Sequence, residues 1–151
     1  MSTAPPALAA GTDRAFAHTV ETAAPPERVW ALWTDVAGWP TWDLELKAAE
    51  LSGPFAVGAE GRLTPVAGPR SRFAVTAVEP GRSYTIETAL PLGALRIRRS
   101  WTATADGRTA FTHAVSFHGV GGRLLARRLG PRFRRALPDV MGRLARLAED
   151  S

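Results

Sequence analysis

Arg99, His113 and Tyr84 are the residues of this chain whose types and placement suit chemistry. The strand-like segment Thr109–His118 alternates, so Phe111, His113, Val115 and Phe117 share one face and Thr112, Ala114, Ser116 and His118 the other. Residues 94–103 put Leu95, Ile97, Arg99, Trp101 and Ala103 on an apolar face, with Arg96, Arg98, Ser100 and Thr102 opposite. A histidine and an arginine thus fall among apolar neighbours. Histidine titrates near neutrality, which suits a general acid or base; a hydrogen-bonded core residue is the alternative. A guanidinium on an apolar face needs a partner. Arg99 meets a carboxylate, or lies at a cavity mouth, or awaits an anionic or carbonyl-bearing ligand, unless a β-bulge turns it outward. Tyr84, within residues 83–88, offers a phenol that orients a carbonyl, or a buried ring with a satisfied hydroxyl.

No motif adds to these three candidates. The chain has no Ser-His-Asp spacing, no HExxH and no phosphate-cradling glycine loop. Three separated histidines and no cysteine give no metal-site signature, and neither metal nor cofactor is expected. The glycines at 119, 121 and 122 read as a hinge, without the strand–turn–helix context of a dinucleotide loop.

The elements that must position these residues are legible from periodicity. Residues 16–22 alternate as a first strand. Pro25, Pro26 and Glu27 open a helix over 27–34, with Val29, Leu32 and Trp33 on one face. Residues 35–42 form a second short helix or turn, broken by Gly38 and Pro40. Strands follow at 44–51, 59–66, 72–78, 83–88, 94–103 and 109–118, with Phe73, Val75 and Ala77, and then Tyr84, Ile86 and Thr88, facing inward. The turn at 79–82 carries Pro and Gly where a type II turn wants them, and Asp106-Gly107 marks a hairpin. Residues 122–149 have a helical stripe that includes Leu129, Phe133, Leu137 and Met141, with eight arginines on the other face. Pro131 and Pro138 are expected to kink this helix or divide it near Gly130. One long amphipathic helix after an antiparallel sheet predicts α+β architecture. A single helix seldom fills the concave side of a curved sheet, and a small apolar ligand fits the gap.

Composition sets the outer bounds. At 151 residues and 45% apolar content, residues 14–151 are expected to form a single domain behind an Ala/Pro-rich disordered tail, 1–13. That tail lacks a basic n-region, and no apolar run is long enough to span a bilayer, so a cytoplasmic protein is expected, as a monomer or homodimer. The net charge of +5 comes with 18 arginines and one lysine. With abundant Ala, Gly and Pro, this is the coding of a GC-rich genome, and the functional alternative is a basic face for nucleic acid or anionic lipid.

The order strand, two short helices, six strands, long helix resembles the helix-grip fold of START domains, the major birch pollen allergen family and the polyketide cyclase/dehydrase family, together the SRPBCC superfamily. The local match lies in Ala-Pro-Pro-Glu-Arg-Val-Trp-Ala-Leu-Trp-Thr-Asp-Val-Ala-Gly-Trp-Pro-Thr-Trp, in Val-Gly-Ala-Glu-Gly-Arg-Leu, in Val-Glu-Pro-Gly-Arg and in Trp-Thr-Ala-Thr-Ala-Asp-Gly-Arg-Thr. The resemblance implies a curved antiparallel sheet of about seven strands around the last helix, with a deep cavity between them for an apolar, aromatic or polyketide-like ligand. The expected wall is Phe73, Val75, Tyr84, Ile86, Ile97, Arg99, Trp101, His113, Val115 and Phe117 from the sheet, and Phe133, Leu137 and Met141 from the helix. Trp33 and Trp42 join it by analogy with the family, whereas Trp30 and Trp39 are assigned to anchoring the short helices. In a cyclase, Arg99, Tyr84 and His113 would polarise carbonyls or move protons while the cavity folds a poly-β-ketone chain. A carrier of lipid or hydrophobic metabolite, docking on anionic membrane through its arginines, needs the same cavity. A nucleic-acid or protein interaction module ranks below both, because the aromatics sit mostly at inward positions. A purely structural domain with a collapsed cavity is the remaining alternative.

Overall fold

A computed structural model describes residues 14–150, so the expected tail, 1–13, lies outside the described residues. Strand β1 (Ala15–Thr22) leads into helix α1 (Pro26–Thr34) and a 3₁₀ turn (Val36–Thr41). Six strands follow: β2 (Leu46–Ser52), β3 (Glu60–Pro65), β4 (Ser71–Glu79), β5 (Ser83–Leu90), β6 (Gly93–Ala103) and β7 (Thr109–His118). Helix α2 (Gly122–Asp150) closes the fold. The strands form one sheet in the order β1-β7-β6-β5-β4-β3-β2, every neighbouring pair antiparallel. This is the helix-grip architecture that the element order implies.

Local sequence explains the short elements. Pro25 is extended (φ −67°, ψ 152°), as a residue before proline must be, and Pro26 starts α1 where its missing N–H is not needed. Val29 and Trp33, one turn apart, are its buried face. Gly38 and Pro40 lie inside the 3₁₀ turn instead of breaking it. The turn closes when the backbone N–H groups of Trp42 (i→i+3) and Asp43 (i→i+4) both donate to the Trp39 carbonyl, bonds that ask nothing of Pro40. At 79–82 the expected turn forms, with Gly81 at φ +74° and the Arg82 N–H on the Glu79 carbonyl.

Two expectations of the long elements need correction. Helix α2 is continuous through Pro131 and Pro138, so it is not divided near Gly130. The prolines are seven residues apart, both on the exposed side of the helix. In β4, Phe73 and Val75 are buried but Ala77 is exposed. The register against β5 shifts between Val75 and Ala77, so Val78 and not Ala77 stands opposite Tyr84; a bulge at Thr76 flips the alternation. Ala103, at the end of β6, is also exposed.

Where α2 crosses the sheet decides where space remains. It packs on β1, β7 and β6 and against α1, while the 3₁₀ turn packs on β2. The C-terminal end of α2 is tied down by Thr22, whose hydroxyl donates to Glu149 at 2.6 Å and holds that carboxyl below the usual carboxylate range. The inner face of β3 to β5 is left between the two covers. Antiparallel alternation brings the starts of β2, β4 and β6, the ends of β3, β5 and β7 and the hinge into α2 to one end of the fold.

Candidate ligand cavity and its buried arginine

A cavity of about 410 Å³ opens at that end. Helix α2 supplies Leu129, Arg132, Phe133 and Ala136, spaced i, i+3, i+4, i+7 on one face. The sheet supplies Leu63 and Pro65 from β3, Ile86, Thr88 and Leu90 from β5, and Leu95, Ile97 and Arg99 from β6. Trp39, Asp43, Glu45 and Leu46 close the third side. The wall is mainly apolar. At the rim, Arg132 Nε meets Glu45 Oε1 at 2.7 Å, joining α2 to the segment before β2; such an exposed pair contributes about 1 kcal/mol or less.

Arg99 is the polar feature of the interior. It is 5% exposed. Its Nη1 donates to the Tyr84 hydroxyl at 2.6 Å, and its guanidinium carbon lies 4.7, 5.0 and 5.7 Å from the ring centroids of Trp39, Trp42 and Tyr84. Three aromatic faces stabilise a cation but do not neutralise it. No carboxylate of the described residues forms an ion pair with it, and its Nε is buried with no hydrogen-bond partner. Asp43, also on the wall, senses its charge without reaching it: burial pushes that carboxyl up, against the Glu45 backbone N–H and Arg99, which pull it down.

Behind Arg99 the Trp42 indole N–H is buried without a hydrogen-bond partner, while Tyr84, Trp39, Trp33 and His113 are linked to one another. The Tyr84 hydroxyl donates to the Trp33 carbonyl at 3.0 Å, the Trp39 indole donates to the same carbonyl at 2.9 Å, and the Trp33 indole donates to His113 Nε2 at 3.0 Å. Burial pushes the Tyr84 phenol up despite Arg99, so it stays a neutral donor. Burial first, then the charges of Arg99 and His18, hold His113 well below the ordinary histidine range. It is a neutral imidazole accepting at Nε2, which assigns its proton to Nδ1.

Below about pH 6.5 the unfolded chain binds a proton that folded His113 refuses. Stability is complete above that pH and falls as pH drops toward the folded pKa, by up to about 1.4 kcal/mol per pH unit. Thermal unfolding between about pH 7 and pH 5 should show this loss in the native protein. His113→Gln, whose amide oxygen still accepts from Trp33, should lose most of the slope. A native melting temperature flat across the window contradicts the assignment.

Of the residues expected on the wall, Ile86, Ile97, Arg99 and Phe133 are there. Trp33, Trp42, Tyr84 and His113 stand behind Arg99 in the core. Phe73, Val75, Val115, Phe117, Leu137 and Met141 are core residues outside the wall. Trp101 is at the opposite end, its indole donating to the Gly81 carbonyl at 2.6 Å with Arg82 over its ring. Trp39, assigned to anchoring, bonds the Trp33 carbonyl and stacks on Phe73, and it lines the cavity as well. Leu129 and Ala136 were findable as the turns flanking Phe133; Asp43 and Glu45, in an irregular segment, carry no periodic signal.

Comparison with known proteins gives one family and one fold. Residues 13–149 match the family model described as polyketide cyclase / dehydrase and lipid transport. No curated protein matches the chain. Protein MLL2253 from Mesorhizobium loti superposes with a TM-score of 0.73 at 20% identity, over 91% of this chain and 98% of that one. Norcoclaurine synthase from Thalictrum flavum does so with a TM-score of 0.70 at 14% identity, over 91% and 87%. DynU16, a putative protein in the dynemicin biosynthetic locus, reaches 25% identity and a TM-score of 0.69 over 91% of this chain and 48% of its own.

Proposed function

The chain belongs to the polyketide cyclase / dehydrase and lipid transport family, and from that premise we propose that it binds a small apolar molecule carrying a carbonyl or anionic oxygen, which Arg99 holds inside the cavity. The observation that carries this reading is a buried guanidinium at an apolar wall with no carboxylate partner among the described residues. Such a charge is expensive to bury unless something hydrogen-bonds it. A ligand oxygen supplies the missing acceptor. The volume, about 410 Å³, suits a molecule of drug-like size.

The division of labour is simple. Ile86, Ile97, Leu129 and Phe133 hold the apolar body and exclude water. Tyr84, fixed by its bond to the Trp33 carbonyl, aims the guanidinium. A carbonyl oxygen seated there is polarised by a full charge in a low-dielectric site. The histidine that would move a proton is sequestered behind Trp33, which favours binding and orientation over acid–base chemistry.

Native mass spectrometry of protein purified from its host tests this, followed by extraction of what it carries. A stoichiometric apolar molecule bearing a carbonyl or acid group is expected. It should be absent from Ala136→Trp, which fills the cavity from the α2 side while the protein stays folded. A clean apoprotein that also fails to bind an apolar anionic probe overturns the reading.

A further inference from the structure

We propose that the end of the fold carrying the cavity mouth docks on an anionic membrane surface. Among the described residues six large apolar side chains are exposed: Leu44 at 50%, Val57 at 63%, Val66 at 64%, Leu92 at 69%, Val120 at 95% and Leu124 at 56%. Single exposed aliphatics are ordinary when scattered. These are not scattered. Leu44 precedes β2, Val66 follows β3, Leu92 forms the β5–β6 turn, Val120 is in the hinge after β7, and Leu124 is in the first turn of α2. All five belong to the mouth end, and only Val57, between β2 and β3, belongs to the other.

The tips are held in place. The Gly121 N–H donates to the Leu92 carbonyl at 2.7 Å, pinning the hinge that bears Val120 to the turn that bears Leu92. Leu92 has φ +63°, the one positive φ on a non-glycine among the described residues. A leucine is a poor choice for that conformation, and an asparagine or glycine a good one. A use of its side chain accounts for a leucine at this exposed tip.

The charge around the tips has the complementary sign. Arg123, Arg127 and Arg128 flank Leu124, and Arg70 follows Val66; all four are exposed and none is in an ion pair among the described residues. From Gly122 to Pro138 the helix carries no acidic residue. Of the acids at this end, Glu45 and Glu87 are already paired with Arg132 and Arg96, and Asp43 lines the cavity. Glu79, Asp106, Glu149 and Asp150 sit toward the opposite end. Aliphatic tips with these arginines beside them match the boundary between anionic headgroups and acyl chains. A nucleic acid fits less well, since no aromatic side chain of the described residues is exposed for stacking and the aliphatic tips would stay in water. Docking in this orientation puts the cavity opening, flanked by Pro69, Leu90 and Leu129, against the bilayer.

Vesicle flotation of the full chain tests the surface without any knowledge of the cavity ligand. Binding is expected to phosphatidylcholine vesicles containing phosphatidylserine, to fade with salt, and to be absent on phosphatidylcholine alone. The double variant Leu92→Asn, Val120→Ser should lower partitioning by about tenfold or more. Arg123→Gln, Arg127→Gln, Arg128→Gln together should lower it by about 100-fold. Val57→Ser, at the other end, should change nothing. Undiminished binding by the Leu92/Val120 variant overturns the proposal. Salt-sensitive binding to DNA or RNA without vesicle binding also overturns it, in favour of a nucleic-acid surface. A dimer that those two substitutions dissociate, again without vesicle binding, overturns it in favour of a second copy of this chain.

Discussion

Arg99→Leu is expected to weaken binding of anilinonaphthalene sulfonate, an apolar anion, by about 10- to 100-fold. The same substitution should leave its uncharged counterpart, N-phenylnaphthylamine, bound as tightly as before. A hydrogen bond to a charged group in a dry site is worth about 1.5–3 kcal/mol, and only the sulfonate can use it. Leucine conserves the apolar wall beside Ile97 and removes the charge alone. Stability should not fall with affinity. The substitution forfeits the Trp39, Trp42 and Tyr84 faces, at about 2 kcal/mol for a desolvated cation–π site. It also removes the desolvation penalty of a buried ion, several kcal/mol, and the donor at Nε that has no acceptor. The Tyr84 hydroxyl keeps its bond to the Trp33 carbonyl. An unchanged or raised melting temperature is therefore expected. Fluorescence titration with both probes reads the result. Equal losses for the two would mean a collapsed cavity, and no loss for either would mean that the guanidinium does not meet the ligand.

The alternation of β6 and β7 is what made this arginine visible in the sequence. Both strands keep strict period two, so Arg99 and His113 fall on the buried face, directly opposite each other in the ladder. Their different fates were not visible. His113 is enclosed by Trp33, Trp42 and Phe111, while Arg99 borders a void. That difference depends on where α2 crosses the sheet, a packing property of the whole molecule. The placement of Trp39 and Trp42 has a local cause. In a 3₁₀ turn residues i and i+3 eclipse, so Trp39 and Trp42 share an edge and both face Arg99. Helical spacing of 3.6 separates them by a wider angle. The outward Ala77 has a similar cause: one bulged residue reverses every side chain beyond it. Alternation read from sequence holds between such irregularities and fails across them.

Trp33→Ala should be the most damaging single truncation in the domain, because Trp33 links α1, the 3₁₀ turn, β5 and β7 through one residue. Its ring is fully buried and meets Trp30, Tyr84, Phe111 and His113 at centroid distances of 5.9–6.3 Å. Its indole N–H is the donor to His113 Nε2. Its carbonyl lies in the last turn of α1, where no helical partner is available, and is satisfied by the Trp39 indole and the Tyr84 hydroxyl. Losing the ring costs about 3–5 kcal/mol. Leaving His113 Nε2 unpaired in the core adds about 1 kcal/mol or more. Domains of this kind have only about 5–15 kcal/mol in total. A fall in melting temperature of about 10–20 °C is expected, followed by calorimetry or circular dichroism. Trp33→Phe separates the two contributions, since it keeps most of the ring contacts and removes only the indole N–H; its loss should be about 1–3 kcal/mol. Trp33 does not border the cavity, so whatever fraction of either variant remains folded should bind the anionic probe with native affinity. A melting temperature within about 3 °C of native for Trp33→Ala would mean that the ring is not part of the packed core. Lost probe affinity in a fully folded Trp33→Phe would instead place the Trp33–His113 bond in control of how Tyr84 aims Arg99.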